Sequence, residues 1–299
     1  MKLGMVGLGR MGGNMVKRLE QDGHELVTYA RTGGTASALT ELVAQLEAPR
    51  VVWLMIPAGK PTEETFQELL GLLEAGDVVV DGGNSNFRDS QRRHALAGEH
   101  GIRFLDAGVS GGIWGLEVGY CLMVGGDPDA VEIVKPAFET LAPPDGWAHL
   151  GSSGAGHFVK MVHNGIEYGM MQAYAEGFEL MHHSEFDLDL SDIAGIWRYG
   201  SVVRSWLLEL LYAAFEHEGD DLARIEGYVE DSGEGRWTIT EAIETAVPTP
   251  VMAASLFARF ASRRDINFAA KVNAALRNQF GGHAIKAADP AAQAQPHAE

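Results

Sequence analysis

Cysteine is nearly absent: Cys121 is the only one in 299 residues. That excludes an internal disulfide and a cysteine-rich zinc site, and it suits a reducing compartment. Lying in the strand-like run Tyr120-Cys121-Leu122-Met123-Val124, the thiol is expected to be a small buried hydrophobe. Positive charge is also scarce. The 23 Lys and Arg face 41 Asp and Glu, a formal net charge of −18, so no nucleic acid and no anionic membrane is expected as partner, and an anionic substrate must be met by a local basic cluster. No stretch reaches the roughly 18 to 20 uninterrupted apolar residues of a membrane span. The chain enters Lys2-Leu3-Gly4-Met5-Val6 with no basic, apolar and small-residue signal before it. A cytoplasmic protein is the expectation.

What is present is the composition of a folded chain, 46% apolar and 21% charged, long enough for two domains. Short apolar runs at 2–6, 25–30, 51–56, 78–81, 102–106 and 120–124 read as strands. They alternate with helical periodicity at 10–22, 62–74, 86–99 and 128–141, the pattern of a mostly parallel sheet wrapped by helices. From about 154 the strand signals fade. Helices are expected at 155–183, 191–214, 238–246, 250–263 and 266–279. The reading is an α/β, Rossmann-type, doubly wound domain over 1–152, an all-α domain over 153–285 joined near Leu150-Gly151-Ser152-Ser153-Gly154, and a disordered tail over 286–299, rich in Ala, Gln and Pro.

Strand 2–6 runs into Gly7-Leu8-Gly9-Arg10-Met11-Gly12 and then a helix. In that order, glycines let backbone N–H groups and a helix N-terminus approach a pyrophosphate without obstruction by Cβ atoms. The second strand ends at Tyr29-Ala30-Arg31-Thr32, with no carboxylate to take the ribose 2′-hydroxyl of NAD. Arg31 and Thr32 suit a 2′-phosphate, so NADP is the preferred cofactor and NAD the second possibility; an exposed loop arginine is the alternative reading. No third strand is evident between Thr32 and a helix at 38–47, so the outer edge of the sheet is trimmed.

In His157-Phe158-Val159-Lys160-Met161-Val162-His163-Asn164-Gly165-Ile166-Glu167-Tyr168-Gly169, the residues Lys160, Asn164 and Glu167 stand at i, i+4 and i+7. They share one helix face, flanked by His163 and Tyr168, while Gly165 and Gly169 on the far side permit close packing. A solvated face with an ion pair is the plain alternative. Among Phe, Met, Val and Ile, beside a cofactor cleft, such a lysine can lose its proton and act as base, and such a glutamate can keep its proton and act as acid. Two glycine loops, Asp81-Gly82-Gly83-Asn84-Ser85 and Gly108-Val109-Ser110-Gly111-Gly112, are expected to follow strands and face the same cleft.

Taken together, these segments resemble the 6-phosphogluconate dehydrogenases, decarboxylating members of the β-hydroxyacid dehydrogenase superfamily, in their short form. The resemblance runs from Gly7 to His283 and rests on DGGNS at 81–85, GVSGG at 108–112, HFVKMVHNGIEYGMMQAYAEG at 157–177, WRYGSVVRSWLL at 197–208, GEGRWT at 233–238 and RNQFGGH at 277–283. It implies Lys160 as the base at the C3 hydroxyl, Glu167 as the acid at C1 of the enediol, Asn164 beside them, and no metal. Asn84, Ser110, Gly111, Gly112 and His163 match positions that hold the sugar acid and nicotinamide. Tyr168, Arg236, Thr238 and Arg259 are implied for the substrate phosphate, joined by Arg277 and His283 from a neighbouring subunit, which makes the protein a homo-oligomer, dimer or tetramer. The expected cofactor contacts are Gly7, Leu8, Gly9, Arg10, Met11, Gly12, Arg31, Thr32, Ile56, Pro57 and Asn84.

Two features depart from the family pattern. The stretch 33–38 is shortened, and Ala30 stands where many NAD-using short members carry aspartate. The rival readings are a related dehydrogenase acting on an unphosphorylated hydroxy acid, which would have no use for Arg236, Arg259, Arg277 and His283, and a non-catalytic nucleotide-binding sensor, against which Lys160 and Glu167 argue.

Overall fold

The computed structural model describes residues 1–264, 268–281 and 284–286. His283 and the tail from 287 onward lie outside the described residues. Strands β1 (Lys2–Val6), β2 (Glu25–Tyr29), β3 (Val51–Leu54) and β4 (Val78–Asp81) alternate with helices α1 (Arg10–Gln21), α2 (Leu39–Ala44), α3 (Lys60–Leu70) and α4 (Phe87–Glu99). β5 (Arg103–Ser110) leads through a 3-10 turn into α5 (Gly115–Val118), β6 (Cys121–Gly126), α6 (Pro128–Leu141) and β7 (Trp147–Gly151). The seven strands form one sheet in the order β2-β1-β3-β4-β5-β6-β7, parallel except between β5 and β6.

The all-apolar runs of β3 and β4 follow from burial on both faces. Val51 and Trp53 pack with Met15, Leu19 and Phe138 of α1 and α6 on one side. Val52 and Leu54 pack with Leu42, Phe66 and Ala97 of α2, α3 and α4 on the other. Because the strand period is two residues, each strand feeds both cores alternately.

Two edges differ from a fuller sheet. β2 is an outer strand, and the short 33–38 connection is closed by a bridge between Tyr29 and Gly34 and by Thr35 Oγ1 accepting from the Thr28 N–H at 2.9 Å. No strand follows it before α2, as the sequence indicated. At the other edge β7 was not legible, because Ala148, His149 and Leu150 are all exposed and carry no apolar pattern. Cys121 is another correction: it opens β6 opposite Ser110 at the sheet's end and is exposed rather than buried.

Beyond the sheet lie α7 (Ala155–His182), α8 (Leu190–Trp197), α9 (Trp206–Glu218), α10 (Glu234–Glu244), α11 (Pro250–Ser262) and α12 (Phe268–Gly281). The helix expected over 191–214 is broken between α8 and α9. Gly200 adopts φ +72°, and Ser205 caps α9 by accepting from the Leu208 N–H. α10 starts four residues earlier than expected, after Gly233 at φ +90°.

The start of α7 is pressed onto β5 and β6. The Asp106 carboxylate accepts from the N–H groups of Gly154 at 2.6 Å and His157 at 2.9 Å, which satisfies two free donors at the helix N-terminus. A Cβ on Gly156 would stand 2.3 Å from the Met123 carbonyl oxygen, and one on Gly108 would stand 2.4 Å from the Lys160 Cβ. Only glycine allows this approach, and it sets Lys160 directly over the end of β5.

Candidate active site

Two adjoining clefts meet at the carboxyl ends of the strands, where the order reverses between β1 and β3. The first, about 650 Å³, is bounded by Gly9, Gly12, Ile56, Pro57, Gly83 and Asn84. Its glycine turn passes the test of a dinucleotide cradle. Gly7 holds φ +99°, and its Cβ would meet the Met55 carbonyl oxygen at 2.3 Å; a Cβ on Gly12 would meet the Gly7 carbonyl oxygen at 2.1 Å. Gly9 has no atom within 4 Å of its Cβ position, so its open side faces the space where a pyrophosphate would lie against the start of α1. Leu8 and Met11 anchor the turn by packing on the core, while Arg10 is exposed. Arg31 and Thr32 are exposed at the tip of the turn after β2.

The second cleft, about 850 Å³, is lined by Asn84, Ser110, Gly111, Gly112, Lys160, His163, Asn164 and Glu167, all expected from sequence. Asn84 and Met11 border both clefts. Ser110 is the last residue of β5 and not part of the loop expected after that strand; the turn begins at Gly111, φ +129°.

Lys160 is 6% exposed, and its Nζ donates to Asn164 Oδ1 at 2.6 Å. Burial pushes the ammonium below the usual lysine range, against the opposing pull of the Glu234 and Glu167 carboxylates. The Asn164 Oδ1 also lies 3.0 Å from His163 Nδ1, and the other ring nitrogen lies 3.4 Å from Ser110 Oγ. With Nδ1 protonated, the imidazole donates to Asn164 and accepts from Ser110. Glu167 places Oε2 3.9 Å from His163 Nδ1 and its side chain is 37% exposed, more open than its apolar sequence neighbours suggested.

The residues expected at a substrate phosphate are not all brought together. Arg259 stacks its guanidinium 3.5 Å from the Tyr168 ring centre and donates to the Glu230 carbonyl at 2.9 Å. The Tyr168 hydroxyl accepts from the Ser232 N–H at 3.1 Å. Arg236 instead forks onto Asp231 at 2.8 and 2.9 Å, and Arg263 joins the same carboxylate at 2.7 Å. These arginines, Arg236 foremost, hold Asp231 far below the usual carboxylate range. Thr238 is buried, with its hydroxyl 2.9 Å from the Met161 and Glu234 carbonyl oxygens, which fixes α10 to α7. Arg277 is exposed on α12.

Sequence reasoning missed three residues. Ser232 reaches the dinucleotide cleft beside Asn84; a small polar residue just before a glycine-led helix start was its only signal. Asp231 had no signal apart from adjacency. Glu234, buried at the first turn of α10, reads in sequence as an ordinary acidic helix opener.

The family model for the NAD binding domain of 6-phosphogluconate dehydrogenase matches residues 2–151, and that for the 6-phosphogluconate dehydrogenase C-terminal domain matches residues 156–289. The chain belongs to the 6-phosphogluconate dehydrogenase family. It is an oxidoreductase with a nicotinamide-dinucleotide-binding domain. It is 44% identical to an NAD(+)-dependent, decarboxylating 6-phosphogluconate dehydrogenase of Haloferax volcanii, over 97% of this chain and 100% of that one. It is 43% identical to a putative 6-phosphogluconate dehydrogenase of Bacillus subtilis (strain 168), over 96% and 99%. Among solved structures, 6-phosphogluconate dehydrogenase of Plasmodium falciparum superposes with a TM-score of 0.81 at 30% identity, covering 97% of this chain and 67% of that one. Within this family the chain is a short member, and no helix among its described residues is long and apolar enough to cross a membrane.

Proposed function

We propose that the protein oxidises 6-phosphogluconate and decarboxylates it to ribulose 5-phosphate. The observation that carries this reading is the buried Lys160 ammonium, held by Asn164 on the wall of a cleft that meets the cleft of the glycine turn at Asn84 and Met11. Burial favours the free amine, so Lys160 can take the proton of the C3 hydroxyl. When bound, the nicotinamide supplies the hydride acceptor for C3. The carbonyl formed at C3 lies β to the carboxylate, and loss of CO2 from such an acid needs no metal. Glu167 then delivers a proton to C1 of the enediol, while Ser110 and His163 orient the sugar hydroxyls.

Arg259 on Tyr168, with Ser232 beside them, is the basic corner available within one chain for the substrate phosphate. Arg277 completes that corner in a neighbouring copy, as does His283. A homo-oligomer is favoured by the apolar stripe Phe268, Val272 and Leu276, which α12 exposes at i, i+4 and i+8. Gly9 to Gly12 hold the pyrophosphate, and exposed Arg31 and Thr32 favour NADP over NAD. The Haloferax volcanii relative, named NAD(+)-dependent, makes this the point on which the two cofactors need direct comparison.

A spectrophotometric assay tests the reading, with 6-phosphogluconate and 3-hydroxyisobutyrate offered separately with each cofactor. Turnover of 6-phosphogluconate is expected. Reduction of cofactor by 3-hydroxyisobutyrate alone would replace the proposal with the unphosphorylated-acid reading.

A further inference from the structure

One helix links the walls of the two clefts. α1 starts at the glycine turn, so its first N–H groups face the space where a pyrophosphate would lie. The same helix carries two side-chain donors four residues apart, Asn14 and Arg18, which therefore share a face. Neither residue lines a cleft. Both reach sideways to the segment 111–119 that follows β5.

That segment forms part of the substrate cleft through Gly111, Gly112, Ile113 and Trp114. Of its nine residues only Gly115 and Gly119 are buried, so no side chain within it is sunk in the core and packing alone does not fix its place. Gly111 at φ +129° and Gly119 at φ +86° bracket it with backbone that other residues rarely adopt. Between them lie a 3-10 turn and the single turn of α5, too short to satisfy their own last carbonyls.

α1 supplies the donors. Asn14 Nδ2 donates to the Ile113 carbonyl at 3.2 Å, and Arg18 Nη1 donates to the Leu116 carbonyl at 3.1 Å. Arg18 Nε donates at 2.9 Å to the carbonyl of Thr140 near the end of α6, which holds the guanidinium in its place. The chain from the pyrophosphate space to the substrate wall is thus α1, two side chains and the carbonyls of one exposed segment.

We propose that Asn14 and Arg18 are positioning residues that couple the two clefts. Dinucleotide bound against the start of α1 steadies that helix, and the helix holds 111–119 in place to receive the sugar acid. Substrate then meets a wall that is already ordered, so cofactor tightens substrate binding, and by linkage substrate tightens cofactor binding to the same degree. Neither side chain touches a ligand in this scheme. The inference rests on the Lys160 cleft taking the substrate proposed above, and on no later step of that reaction.

Hydrogen-deuterium exchange, read by mass spectrometry on peptides covering 7–12 and 111–119, tests the coupling without substrate. Wild type and Asn14→Leu are compared with and without saturating NADP, and again with NAD. Leucine keeps the bulk of asparagine and removes the donor. In the wild type the dinucleotide should slow exchange in both peptides. In Asn14→Leu the slowing at 7–12 should persist while that at 111–119 is lost. The KM for 6-phosphogluconate should rise about three- to tenfold, the scale of one lost hydrogen bond, and by more than kcat falls.

Equal slowing at 111–119 in both proteins would overturn the proposal, because the ordering would then come from direct contact with the dinucleotide, for instance through Met11, which borders both clefts. No slowing there in the wild type, or a lowered kcat at unchanged KM in Asn14→Leu, would overturn it as well. Should Asn14→Leu not fold, Arg18→Lys keeps the charge but loses the fork that spans Leu116 and Thr140, and slowing at 111–119 equal to the wild type overturns the proposal in the same way. Absence of turnover of 6-phosphogluconate by the wild type would instead sink the assigned reaction, and the exchange data would still decide the coupling.

Discussion

The Lys160 Nζ and the Asn164 Oδ1 lie 2.6 Å apart across one turn of α7. The asparagine thereby fixes the lysine without supplying a charge that would hold its proton. Replacing Lys160 by Met should lower kcat by at least about 10², the scale of a lost general base, with dinucleotide binding retained. Nucleotide titration by fluorescence and steady-state kinetics on the same preparation check both halves. Because burial lowers the lysine, wild-type activity should also extend to pH values well below its ordinary 10.5.

The two glycines of the cofactor turn should respond differently to one added methyl group. In Gly12→Ala the Cβ would stand 2.1 Å from a backbone oxygen that cannot give way, so the melting temperature falls. In Gly9→Ala the Cβ enters open space, so the fold is kept and only nucleotide binding weakens. A thermal melt with and without nucleotide separates the two cases. Equal loss of stability in both variants would contradict the assignment of Gly9 to the ligand side.

Cofactor choice should turn on Arg31. Arg31→Ala is expected to lower kcat/KM with NADP about tenfold, the scale of one lost charge-assisted bond, and to leave that with NAD within twofold. Equal effects on both cofactors would remove the 2′-phosphate argument.

Acid stability should depend on Glu63. Hydrogen bonds from Arg92 above all, with Arg93 also contributing, lower its carboxyl to about 2 from an ordinary 4.5. A carboxylate depressed in the folded state stabilises the protein above its unfolded value, and that contribution is lost as pH falls through the folded one. The melting temperature of Glu63→Gln should thus lie below wild type at pH 6. The gap should close between about pH 4.5 and 2. A gap that persists at pH 2 would assign the effect to packing.

What could be read from sequence was whatever repeats with a period. The strands of the buried sheet centre and the i, i+4, i+7 face of Lys160, Asn164 and Glu167 are local patterns, and the structure places them as expected on one sheet and one cleft wall. Elements without a pattern were lost. β7 is an exposed edge, and the break before α9 depends on one left-handed glycine and one serine cap. Pairings that follow no helical or strand period were lost as well. Nothing local shows that Arg236 spends its guanidinium on Asp231, or that Glu234 is buried on the Lys160 segment. Composition cannot distinguish a free arginine from a committed one.

If the cleft at Lys160 oxidises and decarboxylates one sugar acid, as proposed, carbon dioxide and reduced cofactor must appear in step. The most direct measurement supplies 6-phosphogluconate labelled at C1, and counts labelled CO2 against reduced cofactor in the same vessel. One CO2 is expected for each cofactor reduced, with ribulose 5-phosphate as the product. Cofactor reduction without labelled CO2, or no reduction with either NAD or NADP, would contradict it.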